Sequence, residues 1–152
     1  MKNFLSSFLA ILLTIPAVAA QAPVFADKPM SYEAECASCH MAFPPNLLGQ
    51  KSWQNIMSSL DKHFGTDASL DSKTQVEITK WLVKNAATKQ KYSGTAPDNR
   101  ITKSYWFISE HDEVKTDVWK RVGVMSPANC LSCHTDGASG AFSEKNIRIP
   151  SK

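Results

Sequence analysis

The pattern Cys-x-x-Cys-His occurs twice in this chain, as Cys36-Ala37-Ser38-Cys39-His40 and as Cys130-Leu131-Ser132-Cys133-His134, and together the two copies use all four cysteines. Each copy reads as a covalent attachment site for a c-type haem. The two thiols add across the vinyl groups of one porphyrin, and the following histidine supplies the proximal iron ligand. Cysteines three apart on a helical turn lie on one side of it, which leaves the next ring free to point at the metal. Paired Cys-x-x-Cys elements also suit a single zinc site, two disulfides or a redox dithiol. Neither zinc nor dithiol chemistry asks for a histidine after the second cysteine of both copies, and no βαβ pattern surrounds them.

Residues 1–20 read as a secretory signal. Lys2 supplies the positive start, Phe4 to Ile15 the apolar stretch, and Pro16-Ala17-Val18-Ala19-Ala20 the small residues for cleavage. An uncleaved anchor is the alternative, but the apolar stretch is short for a membrane span. No second apolar run follows, so a soluble, periplasmic protein with no stable membrane insertion is expected. Its mature length of about 130 residues suits one compact domain or two small lobes. Loss of Lys2 leaves sixteen basic side chains against 14 acidic ones, a formal charge of +2. Haem propionates bring the oxidised holoprotein close to neutral. The lysines are scattered rather than striped, so nucleic acid binding is not expected.

The pattern predicts a mainly α fold, cytochrome c-like, with short helices around two haems and a lobe for each, over 21–95 and 96–152. The first motif is expected on a short helix starting near Ser31 and stopped by Pro44-Pro45. Ser52 is expected to cap a helix whose apolar face carries Trp53, Ile56, Met57, Leu60, His63 and Phe64, with Gly65 as its stop. A second helix is expected from Asp71 to Lys89, with Val76, Thr79, Leu82, Val83, Ala86 and Ala87 inward. Gly94 to Arg100 reads as the loop between lobes. The aromatic stretch from Ile101 to Ile108 suggests a short strand or extended arm. Asp112 to Val122, with valines four apart, suggests a third amphipathic helix. Ser126-Pro127 is expected to open the helix of the second motif, and the tail after Gly137 to lie on the surface.

Two six-coordinate irons need four axial ligands, and the chain has four histidines. His40 and His134 are proximal by motif, which leaves His63 and His111 for the distal positions. His63 lies 23 residues after His40, and His134 lies 23 after His111. The order is reversed between halves, so it is not a tandem duplication. The simplest assignment gives His63 to the first haem and His111 to the second; a crossed assignment stays open. Met125 and then Met30 are the methionine competitors. Met57 fits the core, and Met41 is poorly placed next to a proximal ligand. Tyr105, Trp106, Phe107 and Trp53 are candidates for haem packing, while Trp81 and Trp119 read as general core.

These elements resemble the small dihaem cytochromes c of bacterial periplasms. The likeness runs through Cys36 to Pro45, Ser52-Trp53, His63-Phe64-Gly65, Ile101-Thr102, Trp106-Phe107, Glu110-His111-Asp112-Glu113 and the second motif. It implies two low-potential, bis-His haems that pass electrons. It also implies a small monohaem oxygen-binding cytochrome as acceptor and a membrane b-type cytochrome as donor. A monomeric electron carrier is the expected function. The alternatives are a small dihaem enzyme, peroxidase-like or acting on sulfur compounds, with one open iron position, and a subunit of a larger complex.

Overall fold

The computed structural model describes Phe25 and residues 27–151; the signal segment expected over 1–20 lies outside the described residues. Among the described residues five α-helices are joined by 3-10 turns: α1 Met30–Cys36, α2 Gln50–Met57, α3 Ser72–Asn85, α4 Gln90–Ser93 and α5 Tyr105–Glu110. Among the described residues there is no strand, only three isolated bridges, and no helix is long and apolar enough to cross a membrane. The mainly α expectation therefore holds.

The main core forms where α2 crosses α3. Trp53, Ile56 and Met57 of α2 meet Ile78, Trp81 and Leu82 of α3, and Tyr32 of α1 closes one side. Tyr32 sits 4.6 Å from the Trp81 ring, and its hydroxyl donates to the Phe43 carbonyl. That bond ties α1, which leads into the first motif, to the segment that follows it. Trp53 Nε1 donates to the Pro45 carbonyl at 2.7 Å, so the buried indole is satisfied. The inward face of α3 keeps Leu82 of the stripe expected, and Ala86 and Ala87 are buried just past the helix end, but the rest of the face differs. Ile78, Trp81 and Leu82 are buried, whereas Val76 is exposed. The helix is one-sided, but its phase is set by the large Ile78 and Trp81 rather than by the smaller Val76 and Thr79. Asp71 caps it, accepting from the amides of Lys73 and Thr74.

Ser52 is not a cap. Gly49 holds that position, and Ser52 lies inside α2 with its buried Oγ accepting from the Ala96 amide at 3.0 Å. Nor does α2 continue to Phe64. The Ser58 and Ser59 hydroxyls both donate to the Asn55 carbonyl, local bonds that compete with helix continuation. A 3-10 turn over Leu60–Lys62 follows, and His63 sits at its end instead of on a helical face.

Ile101 to Ile108 is neither strand nor arm. Its first half is a 3-10 turn and the rest belongs to α5, capped by Ser104, whose Oγ accepts from the Phe107 amide. The cap and the burial of Phe107 override the β-preference of the aromatic run. The helix expected over 112–122 is also absent. That stretch holds turns and a 3-10 segment, Val118–Lys120, with Val118 buried and Val122 exposed. Three β-branched valines with one to bury are too weak a stripe to hold a helix. The second motif lies on a 3-10 turn, Cys130–Ser132. The tail returns to it: Arg148 donates its amide to the Cys133 carbonyl, and His134 bridges to Ile147.

Candidate haem sites

Each motif is a tight loop held by its own serine. Ser38 Oγ donates to the Glu35 carbonyl at 2.9 Å, and Ser132 Oγ to the Asn129 carbonyl at 2.7 Å, the same i to i−3 bond in both. The His134 amide closes the second loop on the Cys130 carbonyl at 2.8 Å. No disulfide joins any of the four cysteines, so all four are available for thioether bonds. Before a haem is attached, burial, reinforced by Glu35 and Glu33, pushes the Cys36 thiol up to about 11, and burial likewise raises Cys130. Neither of these thiols is poised as a low-pKa redox nucleophile.

The folded chain brings each motif histidine against one of the two spare histidines. The His40 and His63 rings are 6.1 Å apart, centre to centre, with planes at 27°. The His134 and His111 rings are also 6.1 Å apart, with planes at 77°. Metal–imidazole bonds are about 2 Å long, and the donor nitrogen lies about 1 Å from the ring centre, so rings sharing one metal have centres about 6 Å apart. Both spacings fit that span. Direct ring stacking, as between Phe107 and His111 at 4.0 Å, is much closer.

One ring of each pair is oriented by the backbone. His40 Nδ1 bonds the Met41 carbonyl at 2.7 Å, and His111 Nδ1 bonds the Phe107 carbonyl at 2.8 Å. Such a bond places the proton on Nδ1 and leaves the Nε2 lone pair for a metal. The second bond spans four residues, so it depends on α5 being helical. Burial holds His63 below the usual imidazole range, with the neighbouring His40 and Arg100 adding to the effect; burial and then His111 act alike on His134. The neutral ring that results is the form that binds metal. Of the methionines, Met57 is buried in the core, while Met30 and Met125 are largely exposed.

Aromatic side chains surround both pairs. Phe43 and Phe64 flank the first at 4.9 and 4.8 Å. Phe107, Trp119 and Phe142 flank the second. Trp119, expected in the general core, lies 5.9 Å from His111. Trp81 is core as expected, and so is Trp53, a candidate for haem packing. Tyr105 is exposed. Phe43, Phe64, Phe142 and Arg100 were not legible as site residues, although Phe43 and Phe64 stand close in sequence to His40 and His63.

Two thioether-forming loops, each with a facing imidazole pair, on a small helical scaffold define a c-type cytochrome with two haem sites. The sequence profile of the dihaem cytochrome c family matches residues 32–142, and the chain belongs to that family. It accordingly carries two covalently attached c-type haems. The fold is similar to that of a dihaem c-type cytochrome from Shewanella baltica OS155, with 37% identity, a TM-score of 0.71, and coverage of 80% of this chain and 93% of that one. A dihaem cytochrome c from Rhodobacter sphaeroides is 42% identical, with a TM-score of 0.64 over 74% of this chain and 95% of its own. A second structure from that organism is 35% identical, with a TM-score of 0.67 over 78% and 100%. No curated protein matches. Family membership is consistent with electron transfer.

Proposed function

We propose that this chain is a periplasmic electron carrier in which His40 and His63 hold the first haem iron and His134 and His111 the second. The observation that carries this reading is the equal 6.1 Å spacing of the two imidazole pairs. The backbone bonds at Nδ1 of His40 and His111 support it, because they leave Nε2 of each ring for the metal. The haem supplies a one-electron couple. The four imidazoles would hold the two irons, and the chain's own part is to fix the orientation of one ring in each pair and surround both pairs with apolar rings. Two imidazoles give a lower potential than a histidine–methionine pair, and closed coordination leaves no position for oxygen or substrate.

The division into a lobe for each haem, 21–95 and 96–152, stays a reading of the sequence, and Ala96, Asn99 and Arg100 of the second stretch pack against α2 and Phe64 beside the first imidazole pair. The amino-terminal signal carries the chain out of the cytoplasm for haem attachment. By its resemblance, the protein passes electrons from a membrane b-type cytochrome to a small monohaem oxygen-binding cytochrome. The test of ligation is low-temperature electron paramagnetic resonance with near-infrared dichroism on the oxidised holoprotein. Both irons are expected to be low-spin with the bis-imidazole charge-transfer band. A methionine band, or rapid binding of carbon monoxide by the reduced protein, would defeat the reading and favour a dihaem enzyme.

A further inference from the structure

Three residues with left-handed backbones converge on one contact beside the first imidazole pair. Phe64, next to His63, has φ 50°, and Asp98 and Asn99 have φ 51° and 55°. Asp and Asn tolerate this region through local bonds; an aromatic residue rarely does. Such conformations persist where the surroundings over-determine them. Here the connector after α4 is pinned to α2 twice, by the Ala96 amide on Ser52 Oγ and by Asn55 Nδ2 donating to Asn99 Oδ1 at 3.0 Å. The next residue, Arg100, lays its guanidinium over the Phe64 ring, 4.1 Å from the ring centre. The nearby carboxylate of Asp98 is paired with Lys103, so the three side chains together leave one positive charge at this place.

We infer that Arg100 is a positioning residue of the first haem site, which holds the Phe64 turn beside His63 and whose fixed charge favours the reduced state of that haem. The inference rests on His63 being a ligand of the first iron. From Arg100 to Phe64, from Phe64 to His63, and on to the midpoint of the imidazole pair, the guanidinium carbon is at most about 12 Å from where the iron would sit. One added electron lowers the charge of the haem by one, and a cation at that distance in an effective dielectric near 20 shifts this equilibrium about tenfold. Half-exposure of Arg100 reduces the effect to roughly three- to tenfold.

The test is a dithionite titration of the holoprotein, followed by electron paramagnetic resonance, on wild type, Arg100→Gln and Arg100→Lys. The 27° and 77° ring-plane angles give the two haems different signals, so each potential is assigned separately. In Arg100→Gln the first haem is expected to become three- to tenfold harder to reduce, up to about 59 mV for a one-electron couple, with the second unchanged. Arg100→Lys should recover at least half of the shift, because it keeps the charge while losing the planar stack. Equal shifts in both variants, or none in Arg100→Gln while the bis-imidazole signals persist, would overturn the inference alone. Absence of those signals from wild type would instead overturn the ligation reading on which it rests.

Discussion

Gly49→Ala places a methyl group where the fold has no room for one. Gly49 is buried at the start of α2, in a parallel bridge with Ala87, and the Ala87 amide donates to the Leu48 carbonyl at 2.8 Å. A Cβ at Gly49 would lie 2.0 Å from the Ser93 carbonyl oxygen and 2.6 Å from its carbon, where contacts below 3.0 Å are essentially never seen. The obstacle is backbone, so no side-chain rotation relieves it, and the 93–96 segment must withdraw by about 1 Å or more. Overpacking of this kind costs about 1–3 kcal/mol. The withdrawal also stretches the Ser52–Ala96 bond, which puts about 1 kcal/mol more at stake. For a chain of this size the sum lowers the thermal midpoint by roughly 10 °C. Thermal unfolding of the holoprotein by circular dichroism measures it. Gly94→Ala is the control: nothing lies within 4 Å of its Cβ, and its φ of −62° suits alanine. That variant should match wild type or gain about 0.4–1 kcal/mol through a less free unfolded chain. A Gly49→Ala midpoint within about 2 °C of wild type, or equal losses in the two variants, would refute the reasoning.

Ile78 is fully buried between α3 and α2, so Ile78→Ala should cost about 2–5 kcal/mol in denaturant unfolding. Val76→Ala, at an exposed position on the same helix, should change stability by less than about 0.5 kcal/mol. Asp71→Ala removes the cap of α3, and the carboxyl is held below its usual range by the hydrogen bonds from Thr74 and Lys73. A depressed carboxyl stabilises the fold above its unfolded value and loses that contribution as pH falls through the lower folded value. The gap in thermal midpoint between wild type and Asp71→Ala should therefore be constant at neutral pH and narrow below about pH 4. Under the proposed ligation, the 27° pair and the 77° pair predict one rhombic and one strongly anisotropic low-spin resonance in the oxidised protein. Two signals of the same type would contradict the ring geometry.

Much of the site was legible because haem attachment is written locally. Five residues carry both thiols and the candidate proximal ligand, and the motif sits on an α1-led loop in one copy and on a 3-10 turn in the other. Counting reached His63 and His111 without any knowledge of the path between them. The secondary structure around those histidines was less legible. The spacing puts His63 on a helical face, yet the serines before it end α2 and a turn presents the ring. His111 follows a run that favours strand, yet the Ser104 cap and the burial of Phe107 make it α5. In both places a side-chain bond to the backbone outweighed the local hydrophobic pattern.

The amino-acid sequence by itself determined the cofactor chemistry, the number of haems and the candidate ligands, because these depend on residue types at short fixed spacings. Only the tertiary structure decided which histidine faces which, at what plane angle, and what stands beside them. Trp119 and Phe142 reach the second imidazole pair, and Arg100 the Phe64 ring beside the first, from segments with no motif of their own. Their places follow from close approach at Gly49, from the Ser52 and Asn55 anchors and from the returning tail. Contacts of that kind join residues distant along the chain, and no periodicity in the sequence records them.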